Sequence, residues 1–312
     1  MPAKLRFIGI EIGGTKLQLV AGDAAGRILD RRRIGVDQSA GGQGIRRQIQ
    51  LALPGLLERW RPAGIAVGFG GPVDVRSGLT RCSHQIKGWN RFPLRSWLER
   101  VSGLPAAVEN DANTAALGEA VRGAGVRRNP VCYVTLGSGV GGGLVVDGEI
   151  YHGATPGEAE IGHLRLDSKG VILEDRCSGW AVDRKIARHI AAHPRCRLAR
   201  LSKGTRGGEA RLLPGALKAG DRQARQILAE TATDLAFGLS HVVHLFHPEV
   251  IVLGGGLSLL GNPLREAVAG FLPRFTMSAF LPPPRVLLAR LGEDAVPVGA
   301  LLLAGRLVGA RI

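Results

Sequence analysis

Two segments of this chain share one plan, and that repetition limits the folds open to it more than any other feature. Phe7 to Leu29, FIGIEIGGTKLQLVAGDAAGRIL, reads as an apolar strand, a Gly-Gly-Thr-Lys loop, a second strand, an Asp-Ala-Ala-Gly turn and a third strand. Cys132 to Tyr151, CYVTLGSGVGGGLVVDGEIY, repeats the order: apolar strand, glycine loop with a hydroxyl residue, apolar strand, Asp-containing turn, strand. A repeat of this kind predicts two domains of like topology facing a cleft. Each would offer that cleft a glycine hairpin whose backbone N–H groups can cradle phosphate.

Both hairpins resemble better-known phosphate loops, and both fail the test of context. Gly9, four residues, Gly14, then Thr15 and Lys16 reverses the Lys and Ser/Thr order of a Walker A loop, and a strand comes next where that loop needs a helix. Gly137-x-Gly139-x-x-Gly142, with Glu158 and Glu160 about twenty residues on, formally matches the dinucleotide fingerprint. The residues after it, LVVDGEI, read as a strand, an Asp-Gly hairpin turn and a strand, so no helix N-terminus is aimed at a pyrophosphate.

Between the two hairpins lies VENDANTAALGE, Val108 to Glu119. LPAAVEN reads as a short strand and DANTAALGEAVRG as a helix, with Asp111 or Asn110 at its N-cap and Gly123 past its end. An isolated Asp there is most simply a cap that satisfies orphan N–H groups. The apolar spacing from Gly44 to Trp60 predicts a helix interrupted or bent at Pro54. Ile65 to Phe69 reads as a buried strand running into Gly70, Gly71 and Pro72, and ligands of open α/β sheets sit beyond such strand ends. The next loop holds His84, Gln85, Lys87, Trp89 and Asn90, polar groups mixed with an aromatic as a sugar pocket requires. Phe92 to Val101 reads as a short amphipathic helix, and Arg222 to His244 as a long one before the strand PEVIVL and a third glycine run, Gly254 to Gly256.

Composition narrows the class. The chain has 312 residues, enough for two domains of ordinary size. Its 46 glycines are above the usual share and cluster at strand ends. The net charge of +15, nearly all from arginine and densest from Arg184 to Arg211, raises the question of an anionic partner. Only 4% of residues are aromatic and no DNA- or RNA-reading motif is present, so specific nucleic-acid recognition is not expected. Cys82, Cys132, Cys177 and Cys196 lie apart without CxxC spacing, which fits a reducing cytosol and neither a zinc site nor a disulfide framework. Glu11 interrupts the N-terminal apolar run, and Val296 to Ala310 is too short to span a bilayer, so a cytoplasmic protein with no membrane partner is expected.

GIEIGGTK (9–16), GPVD (71–74), ENDAN with ALGE (109–119), TLGSGVGGGL (135–144), EIGH (160–163), LED and SGWA (173–181), PEVIVLGGG (248–256) and VGALLLA (298–304) succeed one another in order. In this order the chain resembles the ROK family of bacterial sugar kinases, repressors and open-reading-frame proteins, within the actin, sugar kinase and Hsp70 fold group. The resemblance implies an α/β, duplicated actin-like (ribonuclease H-like) ATPase fold. Its two domains would be 1–120, joined by a C-terminal helix at 297–312, and 121–296. It implies transfer of the γ-phosphoryl of Mg-ATP to a hexose hydroxyl, glucose and carbon six being expected, with Asp111 as general base. Such a transfer needs charge neutralisation and alignment more than covalent chemistry, and an Asp of ordinary pKa near 4 is ionised at neutral pH.

By motif position the resemblance further implies Gly71, Asn110, Glu160, His163 and Glu174 as sugar-side residues. Gly13, Gly14, Thr15, Lys16, Gly137, Ser138, Gly139 and Gly141 would hold the phosphates, and Gly254, Gly255 and Gly256 would lie near the base and ribose. Glu11, where many members carry Asp, would face Mg²⁺ through water. Most members have a zinc-binding cysteine cluster after the Gly-His motif; here HLRLDSKGVILEDRCSGW has only Cys177, so no structural zinc is expected. Ala159 and Gln85 also depart from the family's usual Gly and Asn. A homodimer is implied by the family alone. Two alternatives remain: a non-catalytic sugar sensor, disfavoured by the presence of Asp111 and three glycine turns and by the lack of room for a DNA-binding segment before Gly9, and a polyphosphate-using hexokinase.

Overall fold

The structure is a computed structural model and describes residues 5–310 apart from 84, 156, 158, 205 and 206; His84, Glu158 and Arg206 lie outside the described residues. The chain divides into two compact units, one made of 1–127, 143–159 and 290–312, the other of 128–142 and 160–289. Residues 143–159 and the C-terminal helix both fall in the first unit.

The first sheet contains β1 (Arg6–Ile12), β2 (Lys16–Asp23), β3 (Ile28–Gly35), β4 (Gly64–Phe69) and, after a small hairpin of β5 (Val73–Asp74) and β6 (Leu79–Thr80), β7 (Ala106–Asn110). Its order is β3-β2-β1-β4-β7, with the first three strands an antiparallel meander and β1, β4 and β7 parallel. The second sheet contains β8 (Val131–Leu136), β9 (Val140–Val146), β10 (Glu149–Ile150), β11 (Val250–Gly254) and β12 (Arg285–Leu288) in the order β10-β9-β8-β11-β12. Position for position this is the same order, so the repeated plan in the sequence is a repeated topology. The turn between β9 and β10 has positive φ at both Asp147 and Gly148, the two-residue geometry an Asp-Gly hairpin favours.

Strand alternation places the two faces of the first sheet against different helices. Ile8, Ile10 and Ile12 of β1 join a core with α1 (Gly41–Trp60) and α2 (Leu94–Ser102), whereas Phe7 joins Ala300, Leu301 and Ala304 of α10 (Ala295–Leu307). Pro54 does not interrupt α1, which runs through it. It sits on the exposed face with Gln50, whose carbonyl loses its helical donor where water can replace it. Trp89 is a correction to the expected pocket wall. It is 1% exposed, edge-on to Phe69 and Phe92, and belongs to the core.

Helix α3 (Asp111–Arg122) crosses α10 at two glycines. A Cβ on Gly299 would lie 1.8 Å from the Thr114 carbonyl oxygen, and one on Gly118 would lie 2.4 Å from that of Ala295. Those neighbours are backbone and cannot turn aside. Gly299→Ala gains some helix propensity but forces the helices apart, and a net loss of about 3 kcal/mol is expected. A thermal melt should show Tm lower by roughly 6 °C or more; an unchanged melt would mean the crossing can slide to admit a methyl group.

The second unit carries the helices α4 (Leu173–Cys177), α5 (Gly179–Ala192), α6 (Arg197–Ser202), α7 (Leu213–Lys218), α8 (Arg222–Phe246) and α9 (Asn262–Phe271). Cys177 is fully buried and its thiol donates to the Thr231 carbonyl of α8 at 3.5 Å; burial raises its pKa, so it is a packing residue. Among the described residues no group of three or more His, Cys, Asp or Glu is arranged to hold a metal ion, and no helix is long and apolar enough to cross a membrane.

Candidate active site

In the first unit three parallel strands end level with one another. Ile12 of β1 is in register with Phe69 of β4, and Phe69 with Asn110 of β7. Gly13, Gly70 and Asp111 therefore begin the loops and helix beyond one edge of the sheet, the place where parallel α/β sheets assemble ligands. The Gly70 amide donates to the Ile12 carbonyl at 2.8 Å. A Cβ on Gly70 would be 3.5 Å from Asp111 Oδ2 and 3.7 Å from Gly13 Cα. The carboxylate and the first glycine hairpin thus converge on a single position occupied by a residue with no side chain.

Asn110, not Asp111, is the N-cap of α3. It is extended (φ −65°, ψ 147°), and its Oδ1 accepts from the amides of Ala112 at 2.8 Å and Asn113 at 3.1 Å. Its Nδ2 donates to the Gly71 carbonyl at 3.2 Å, so its remaining capacity toward a ligand is as a hydrogen-bond donor. Asp111 is the first helical residue, partly exposed, with Oδ1 accepting from the Ala112 amide at 2.8 Å. Gly71 has no room for a side chain, since a Cβ would lie 2.5 Å from the Cys82 carbonyl oxygen.

Beneath this pair is a carboxylate that sequence reasoning did not single out. Glu109 is 4% exposed and accepts from the Asn110 amide at 2.9 Å and Asn113 Nδ2 at 3.0 Å, with His152 Nε2 at 2.6 Å. An ionisable residue in the middle of an apolar strand was the available signal, because buried carboxylates persist only with several donors. Glu109 fixes the backbone on which Asn110 and Asp111 stand.

The first hairpin is closed by the Gly13 amide donating to the Lys16 carbonyl at 3.0 Å, with Thr15 exposed at its tip. Gln85 lies over Gly14, where an added Cβ would meet its Oε1 at 1.6 Å. Glu11, at the end of β1, pairs with Lys16 Nζ at 3.4 Å and accepts from Gln18 Nε2 at 2.6 Å. Burial raises its pKa, and Lys16 and Gln18 pull it back. A partly buried carboxylate oxygen donor at this hairpin is of the type that hydrated Mg²⁺ takes.

In the second unit the other motif residues gather around the second hairpin. Its turn is Gly137 to Gly139, closed by the Gly137 amide on the Gly139 carbonyl at 2.9 Å, whereas Gly141 lies inside β9. Glu174 Oε2 accepts from the Val140 amide at 2.8 Å, and a Cβ on Gly139 would meet it at 2.4 Å. Gly162, between Glu160 and His163, packs against the Val140 carbonyl, and the Gly179 amide donates to the Gly137 carbonyl at 2.7 Å. Gly255 (φ 78°) abuts Leu136, the residue before the turn, so the third glycine run meets the second hairpin. Gly254 packs on Tyr133, Gly256 faces open space, and Ser138 is in the turn. Glu160 and His163 are exposed.

Comparison with known proteins identifies the family. The ROK family matches residues 7–306. A glucokinase of Halalkalibacterium halodurans is 31% identical over 308 residues, covering 94% of this chain and 93% of its own length. A ROK family glucokinase from Streptomyces griseus, solved in complex with glucose and AMPPNP, superposes with a TM-score of 0.84 at 30% identity over 96% of this chain and 99% of its own. A ROK hexokinase from Thermus thermophilus superposes with a TM-score of 0.77 at 30% identity, covering 97% and 99%. The twice-used strand order is the duplicated actin-like fold, and the chain belongs to the ROK family.

Proposed function

We propose that this chain, a sugar kinase by family, transfers the γ-phosphoryl of ATP to the carbon-six hydroxyl of a hexose, with glucose the first candidate and Asp111 the general base. The observation that carries the reading is the convergence at Gly70, where Asp111 Oδ2 and the Gly13 turn approach the same side-chain-free position within 3.5 and 3.7 Å of an added Cβ. A base must reach the hydroxyl whose oxygen attacks the phosphoryl group, and a phosphate-holding hairpin must be close by.

Asn110 would donate its free amide hydrogen to a sugar oxygen while Asp111 accepts a hydroxyl proton, so the two neighbours supply opposite halves of one recognition. Pairing buried polar groups in this way rejects sugars lacking the matching hydroxyl. Glu160, His163, Glu174 and Gly71 are assigned to the remaining hydroxyls by motif. Mg²⁺, held on the nucleotide's phosphates with Glu11 facing it through water, would neutralise charge on the transferring group.

The relatives' names support glucose and ATP; a coupled assay of ADP release over a panel of hexoses with Mg-ATP tests both. Turnover on glucose or a close epimer is expected, and replacing ATP with polyphosphate should abolish most of it. Sugar binding in a thermal-shift assay without ADP release from any hexose would overturn the kinase reading in favour of a sensor.

A further inference from the structure

Four basic side chains of the second unit surround a cavity of about 320 Å³ between α4 and α5. Arg176 of α4 and Arg184, Lys185 and Arg188 of α5 line it. Arg184 and Arg188 are one helical turn apart on an exposed face, and neither makes an ion pair or a side-chain hydrogen bond among the described residues. Lys185 is half-buried and donates to Thr231 Oγ1 at 3.0 Å, and burial lowers its pKa, so the guanidinium groups supply the dependable charge.

The acidic groups nearby do not cancel it. Asp175 is the carboxylate in the lining, and its Oδ2 accepts from the Ile172 amide at 3.2 Å, turned onto its own backbone. Asp167, Glu230 and Asp234 line the adjoining cavity with Arg176 and Lys185 and compensate those two in part, whereas Arg184 and Arg188 are not among the residues lining it. Guanidinium groups left without carboxylates around a concave space bind phosphate oxygens best, through paired charge-assisted hydrogen bonds.

We propose that this cavity binds a multiply charged phosphate compound, either an inorganic phosphate chain or a phosphorylated sugar, at a place whose lining includes no residue of the Gly137–Gly141 segment. Occupancy there has a route to the hairpin. Arg176 is two residues beyond Glu174 in the same short helix, and Glu174 holds the Val140 amide at 2.8 Å. An anion drawing Arg176 toward α5 therefore acts on the helix that positions Glu174.

The test is isothermal titration of sodium tripolyphosphate, glucose 6-phosphate and inorganic phosphate into the full chain held in excess AMPPNP. The inference rests on the proposed donor site only for the use of AMPPNP as a blocker. Tripolyphosphate or the sugar phosphate should bind near 1:1, and the tighter of the two identifies the source. Arg184→Ala combined with Arg188→Ala should weaken that binding by about tenfold per guanidinium, roughly a hundredfold together. Arg222→Ala with Arg225→Ala, an exposed pair on α8 that removes the same charge, should change it by no more than about twofold. Equal weakening in both double variants, or no binding by the parent chain, would overturn the site. If AMPPNP itself fails to bind while the Arg184 and Arg188 variant still loses tripolyphosphate, the anion site stands and the donor reading falls.

Discussion

Asp111→Asn is expected to lower kcat by about 10²- to 10⁴-fold, the range typical for removal of a positioned general base. Asparagine keeps the volume and one carbonyl oxygen, so the Ala112 amide retains an acceptor in place of Asp111 Oδ1 at 2.8 Å. What is lost is the ability to take a proton at Oδ2, the oxygen that faces Gly70. The helix is little affected, because its cap is Asn110. The N-terminal charge removed contributes roughly 0.3–1 kcal/mol, so Tm should fall by no more than about 3 °C. KM for the sugar should move less than kcat, since Asn110 still donates. Measured side by side, ADP release and thermal melting separate the outcomes. A variant that retains more than a tenth of parental kcat sinks the base assignment. One that loses activity together with its melting transition points to a folding defect.

Much of this was legible in the sequence because it is local. A glycine hairpin between two apolar strands can be read from a dozen residues, and reading it twice gives the topology of both sheets. The rejection of the Walker and dinucleotide loops rested on the segments after the glycines, and β2 and β9 are strands where those motifs need helices. Position in the motif could place Asp111 and Asn110 side by side, but not divide their labour. Which one caps depends on φ and ψ at Asn110, and these are set by the register of β7 with β4.

The misreadings share a cause, which is that burial is a tertiary property. Trp89 among polar neighbours reads as a pocket wall until Phe69 and Phe92 are seen to enclose it. Pro54 reads as an interruption or a bend, and α1 is uninterrupted because its face at Pro54 is the solvent face. Glu109 reads as one more letter of a motif, yet besides its near neighbours Asn110 and Asn113 it meets His152, 43 residues further along the chain, a partner that no local pattern carries.

Glu119 is the strongest instance, and its replacement should be the most damaging to stability. It is wholly buried at the end of α3, and its carboxylate accepts from three backbone amides: Ala124 at 2.7 Å, Arg290 at 3.1 Å and Leu291 at 2.7 Å. A Cβ on Gly123 would lie 1.9 Å from Oε2, so the glycine after the helix makes room for the carboxylate as well as ending the helix. Arg290 and Leu291 lead directly into α10, and the next residues reach back to the first sheet through Glu293 with Arg33 at 3.1 Å and Asp294 with Arg31 at 2.6 Å. Arg33 also donates to Gln18, which holds Glu11, so the clip at Glu119 secures one end of a chain of contacts that reaches the first hairpin. Glu119→Ala leaves buried donors unsatisfied at about 1–3 kcal/mol each, and a loss of about 4 kcal/mol, near the top of single-residue effects, is expected. Tm should fall by roughly 10 °C. Glu119→Gln, which keeps one acceptor oxygen, should lose about half as much. If Glu119→Ala melts within a degree or two of the parent, α10 is held by its apolar face alone and the buried carboxylate is incidental to it.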